Sequence, residues 1–156
     1  MKWIEALAKA GAYLSAVFML LTVGLILVEI ASRALLGVST LIAAEYSGYL
    51  LVGLVLMGFA YTIGQGGFIR INLIRARLPA GAQRLLDIIA CIFSAVITAF
   101  VFRYSVIMVY ETKELGMEAD TIAETPFWIP QLVVPIGLAM LFLQLVAMTI
   151  RRVRQS

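Results

Sequence analysis

Residues 46–69 read YSGYLLVGLVLMGFAYTIGQGGFI, 24 positions without one charged side chain. A helix needs about 20 mostly apolar residues to cross a hydrocarbon core of roughly 30 Å. No water reaches the backbone there, so such a span must satisfy its own hydrogen bonds and be helical. Three further stretches meet the same requirement. Residues 10–28 and 125–150 hold no charge, and 88–109 hold only Arg103. The pattern predicts helices over about 10–32, 43–66, 85–110 and 126–150. The expected fold class is an all-α membrane protein, a single transmembrane domain over residues 1–156. A short amphipathic helix near 68–79 would lie in the cytoplasmic interface.

The segments between the spans carry an orientation signal. Lys2 and Lys9 precede the first span, Arg70, Arg75, Arg77 and Arg84 separate the second from the third, and Arg151, Arg152 and Arg154 follow the fourth. Between the third and fourth lie Glu111, Lys113, Glu114, Glu118, Asp120 and Glu124, one base among six charges. Lys and Arg beside membrane helices are held in the cytoplasm. Both termini and the basic middle loop are therefore expected on the cytoplasmic side, with the acidic loop outside. Four crossings satisfy that alternation.

With 63% hydrophobic residues in 156, the bilayer claims most of the chain and leaves no room for a separate soluble domain. The net charge of +3 hides the asymmetry just described. Its bases flank apolar spans and lack aromatic interleaving, so they read as membrane anchors and not as a nucleic-acid surface. The first apolar run is longer than the 7–15 residues usual in a signal peptide, which predicts an uncleaved first helix. Cys91 is the single cysteine and excludes an intramolecular disulfide; a small membrane-buried side chain is its expected role.

Several residues stand out within this frame. Glu29 and Arg33 are spaced i,i+4 near the far end of the first helix and can pair on one face. Glu45 opens the second helix and is an alternative partner for Arg33. Residues 34–44 are apolar but too short to cross, and fit a tight return, an interfacial piece or an extension of the second helix. The second helix has small residues at spacing four, among them Ala43 with Ser47, Ala44 with Gly48 and Ala60 with Gly64; with Gly58 they predict close helix packing. In 68–79, Ile71, Ile74 and Leu78 fall at helical spacing opposite Arg70 and Arg77. Arg103 sits about two turns inside its helix, placed to snorkel or to pair with an acid from another helix or subunit. Tyr104, Tyr110, Phe127 and Trp128 suit an aromatic belt. Pro126 is predicted to start the fourth helix, with Trp128 in the helix entry, Pro130 one turn in and a kink at Pro135 two turns in. Gln144 is a rare polar residue in that helix, suited to hydrogen bonding across a helix interface.

The chemical inventory is narrow. Without any histidine, a Ser/His/Asp triad, a Cys/His dyad and a histidine metal site are excluded, as is the usual haem ligand. No phosphate-binding GxxxxGK[ST] loop is present, and the glycines of IGQGG end a membrane helix with no βαβ unit around them. The expectation is a chain that is not an enzyme and holds no cofactor. Its membrane-depth charges are Glu29, Arg33, Glu45, Arg103 and Asp87, with no row of acids for a proton relay. Such a chain reads as a partner subunit rather than a complete transporter.

Taken in order, EIASR (Glu29 to Arg33), Glu45, Gly58, GFIRINLIRARLP and TPFWIPQLVVPIG (Thr125 to Gly137) resemble the small membrane subunit of tripartite ATP-independent periplasmic (TRAP) transporters. The resemblance covers nearly the whole chain. Where the family often has His and Asp, this chain has Phe68 and Asn72. The resemblance implies a complex. A large permease subunit would carry sodium coupling and substrate, and a periplasmic binding protein would deliver an organic acid. This chain would brace the large subunit in the lipid bilayer. It also implies a candidate docking role for the acidic loop residues Glu114, Glu118 and Asp120, against the plainer reading that acids simply populate a translocated loop. The competing hypothesis is a small autonomous exporter working as a homodimer, with Glu29 as its coupling acid. Glu29 lies too near a helix end to fit that role well.

Overall fold

The computed structural model describes residues 2–39, 42–67, 79–121 and 123–154. Their helices are α1 (Lys2–Leu36), α2 (Ile42–Gly64), α3 (Ala80–Glu114), α4 (Trp128–Gln131) and α5 (Val133–Arg154). With α4 and α5 taken as one interrupted crossing, four segments are long and apolar enough to span a bilayer. The amphipathic helix expected over 68–79 falls outside the described residues except for Pro79, the extended N-cap of α3.

The helices outrun the apolar spans. α1 and α3 have 35 residues each, about 52 Å at 1.5 Å per residue, well beyond a hydrocarbon core. α1 begins at Lys2 and not near residue 10, because the flanking Lys and Glu residues are good helix formers that can continue the rod into the headgroup layer. Much of segment 34–44 belongs to the helices: α1 runs to Leu36, Gly37 turns the chain at φ +66°, and α2 starts at Ile42. A left-handed glycine just past a helix is the usual stop. Gly116, at φ +59°, ends α3 in the same way.

The start of the last span differs from the expected one. Pro126 is not a first helical residue; it faces Glu118 in an isolated antiparallel bridge. Met117 accepts from the Phe127 N–H at 3.1 Å, and the Ala119 N–H donates to Thr125 at 3.0 Å. These bonds tie the segment before the helix back onto the end of α3, and Phe127, in the right-handed helical region, leads into Trp128. The helix then breaks at Leu132. Pro135 has no N–H to meet the Gln131 carbonyl four residues back, so the ladder is interrupted there.

Neighbours run α1–α2–α5–α3 across the molecule, with α1 and α3 at the two edges. The inward positions of α1 are Ala8, Gly11, Ser15, Phe18, Thr22, Leu25, Glu29 and Ser32, alternating by three and four. On α2, Ala43, Leu50, Gly53, Met57 and Ala60 follow the same rule. That is the spacing of a coiled-coil seam. Small residues meet large ones across it. A Cβ on Gly53 would lie 2.7 Å from the Phe18 ring, and one on Gly11 would lie 2.6 Å from the Met57 carbonyl oxygen. Ser15 donates to the Leu54 carbonyl at 2.6 Å. α3 presents Cys91, Thr98, Ser105 and Thr112 inward at intervals of seven, all buried. The three hydroxyls bond carbonyls of their own helix, so none arrives at the contact unsatisfied. α5, flanked on both sides, is the most enclosed: 39% of its apolar window is buried, against 6% for α1.

Candidate functional site

At the end of the bundle that holds the acidic loop, two polar clusters tie elements together. Arg33 Nε donates to Glu29 Oε1 at 2.7 Å, and Ser39 Oγ donates to the same oxygen at 2.7 Å. Arg33 Nη2 also donates to Ser39 Oγ at 3.0 Å. Glu29 is 8% exposed. The salt bridge keeps this sunken carboxylate paired, and the ring of bonds pins the α1–α2 turn. Glu45 is not part of that ring. It accepts from Tyr49 at 2.9 Å and from Thr121, which fastens the acidic loop to the start of α2. Tyr46 and Thr125 share a hydroxyl contact at 3.1 Å beside it.

The acidic loop is ordered by its backbone bonds and by Lys113, whose Nζ lies 5.1 Å from the Trp128 ring centroid. Glu114, Glu118 and Asp120 all face outward, and Glu114 accepts from Tyr110 at 2.5 Å. Arg103 behaves otherwise. It is exposed on the flank of α3, and among the described residues it has no salt-bridge partner. On the same helix, the Phe100 and Tyr104 rings meet tilted at 52° with centroids 4.7 Å apart. The end that gathers both termini is closed by ion pairs, Arg151 with Glu5 and Arg152 with Asp87 at 2.5 Å. These join α5 to α1 and to α3.

Of the positions expected to allow close packing, Gly58 lies against Ser15 and Gly64 against the Gln144 amide. Ala44 and Gly48 are exposed, and nothing lies within 4 Å of a Cβ placed on Gly48. The inward register of α2 passes through Ala43 and Gly53 instead.

This arrangement contains structural ion pairs and no convergent catalytic groups among the described residues. Residues 22–155 match the family described as tripartite ATP-independent periplasmic transporters, DctQ component. The chain belongs to this family. It is a TRAP transporter small permease subunit, a transporter component and not an enzyme. It is similar to the ectoine TRAP transporter small permease protein TeaB of Halomonas elongata, 27% identical over 131 residues that cover 84% of this chain and 67% of the relative. Among residues of this TRAP subunit that sequence reasoning passed over, Ser39, Thr121 and Gly11 matter most. Ser39 and Thr121 gave no signal, because their partners are remote in sequence or across a turn. Gly11 was findable, since it belongs to a stripe of small and polar residues at heptad spacing along α1.

Proposed function

We propose that this chain is the passive brace of a sodium-coupled TRAP system for an organic acid. In this reading it stiffens a large permease subunit that carries sodium and substrate, and a periplasmic binding protein supplies the cargo. It sits in the bacterial cytoplasmic membrane with both termini inside, as the basic flanks of the terminal end favour. The carrying observation is the charge inventory: among the described residues Glu29 is the one buried Asp, Glu, Lys or Arg side chain, and Arg33 and Ser39 already occupy it. Transport of a charged solute needs groups that change partners across the membrane, and an acid held this way offers none.

The edge helices support a partner alongside. α3 leaves Phe93, Val96 and Phe100 at 65%, 63% and 62% exposure, with Arg103 among them. Lipid covers apolar side chains without loss but leaves an arginine at depth uncompensated. A carboxylate on a neighbouring membrane helix is the complement this face asks for. Glu114, Glu118 and Asp120 form the surface proposed to meet the binding protein.

The test is purification of the tagged chain from its own membrane in mild detergent. A large multi-helix permease in fixed ratio, identified by mass spectrometry, is the expected companion. A homodimer free of other subunits, with uptake abolished by Glu29→Gln, would establish the exporter instead.

A further inference from the structure

Where the terminal ends of α1, α2 and α5 meet, they enclose a cavity of about 280 Å³ whose polar lining comes from Glu5, Lys9, Tyr61, Gln65, Gln144 and Arg151. A second lateral cavity, between α3 and α5, differs in kind: it is walled by residues such as Ile92, Val96, Phe142 and Val146. Gln144 is 4% exposed, and its Oε1 is buried with no hydrogen-bond partner. A buried amide left without partners costs roughly 1–3 kcal/mol, so a polar group from outside the chain is the complement this side chain lacks. Gly64 is what lets the amide reach the cavity, because a Cβ there would collide with it.

The charge of the site points to an anion. Lys9 is exposed and has no ion-pair partner among the described residues, while Arg151 is bridged to Glu5. The three leave a net positive charge of one. Lys9 directly precedes the uncharged stretch 10–28 and Arg151 directly follows 125–150, the flanks where a bilayer places its headgroups. Arg151 is in the last turn of α5, and Gln144 lies seven residues deeper, about 10 Å along the axis. The fitting ligand therefore carries a phosphate for Lys9 and a hydroxyl for the Gln144 amide, with acyl chains that remain in the bilayer.

We propose that this cavity is a headgroup site for an anionic phospholipid of the phosphatidylglycerol type. The phosphate lies against Lys9, and a glycerol hydroxyl hydrogen-bonds the Gln144 amide. The inference needs the bilayer placement of the chain and does not depend on its transport role.

Native mass spectrometry of the full-length chain, with whatever subunits accompany it, tests the site. The probes are phosphatidylglycerol, phosphatidylcholine and inorganic phosphate, and the variants are Lys9→Gln, Lys9→Arg and Gln144→Leu. The expected result is one phosphatidylglycerol retained in preference to phosphatidylcholine. Lys9→Gln, at an exposed position that leaves folding intact, should weaken retention about fivefold, the worth of one basic side chain at a lipid surface. Lys9→Arg should restore it, and Gln144→Leu should narrow the preference over phosphatidylcholine. Equal retention of both lipids by the unaltered chain would overturn the proposal, as would a Lys9→Gln chain that binds undiminished. Full displacement by inorganic phosphate would make it a site for soluble anions and overturn the lipid assignment.

Discussion

The two edge helices, α1 and α3, have the same length and nearly the same mean hydropathy over their apolar windows, 2.4 and 2.5, yet they treat their membrane-depth charge in opposite ways. α1 turns Glu29 inward and closes it with Arg33 and Ser39. α3 turns Arg103 outward, next to Phe100 and Tyr104, with no partner for it among the described residues. Hydropathy marks both as membrane spans and cannot tell them apart. What separates them is the placement of small residues. Gly11 and Gly53 let α1 and α2 close over the acid's helix face, whereas the outer face of α3 leaves large side chains exposed.

The comparison is easiest to break at the α1–α2 seam. Gly11→Leu places side-chain atoms where the Met57 carbonyl and the Met140 methyl stand, and overpacking of this kind costs about 1–3 kcal/mol. Thermal unfolding in detergent should register it as the largest loss in this set, while Val96→Leu on the exposed face of α3 should leave the midpoint in place. Equal responses would mean that the two edges do not differ.

Glu29→Ala should come next. Interhelical polar contacts in membranes contribute on average about 0.6 kcal/mol and at most about 1.7. Because the carboxylate carries two bonds and Arg33 would lose its counter-charge, the upper part of that range is expected from the unfolding midpoint. Glu29→Gln, which keeps an acceptor for Ser39, should fall between it and the unaltered chain.

For Arg103→Leu the prediction divides. The unfolding midpoint of the chain itself should not move, because no ion pair among the described residues is lost, but recovery of the large permease in a pull-down should fall severalfold. Arg103→Lys should recover part of it. A lower midpoint with full recovery of the partner would move Arg103 from the interface to the chain's own stability.

The smallest structural effect is expected from reversing Glu114, Glu118 and Asp120 to Lys together, since all three are exposed. Folding should be untouched. If the loop docks the binding protein, uptake in a complete reconstituted system should weaken and should depend on salt. Unchanged uptake would reject docking.

How much of this was legible follows from what each feature depends on. The four spans rest on composition over windows of twenty residues, and a lipid solvent permits few other solutions. The Glu29–Arg33 pair rests on helical spacing alone and was readable in the same way. The order α1–α2–α5–α3 was not readable, because nothing in any one helix names its neighbour. Glu45 illustrates the point: its partner Thr121 lies 76 residues away, and no pattern near either one announces the other. The lengths of α1 and α3 exceed the expected ones for a physical reason, since charged residues end the apolar window but not the helix. Pro126 fits a first helical turn as a residue type, but the bridge to Glu118 holds it extended.

The central claim is that this chain braces and does not transport. Proteoliposomes should be prepared with the purified chain alone and with the chain plus its large permease and binding protein, and uptake of the binding protein's ligand should be followed under an inward sodium gradient. The account predicts sodium-dependent uptake from the complete set and only background from the chain alone. Saturable uptake by the chain alone would contradict it.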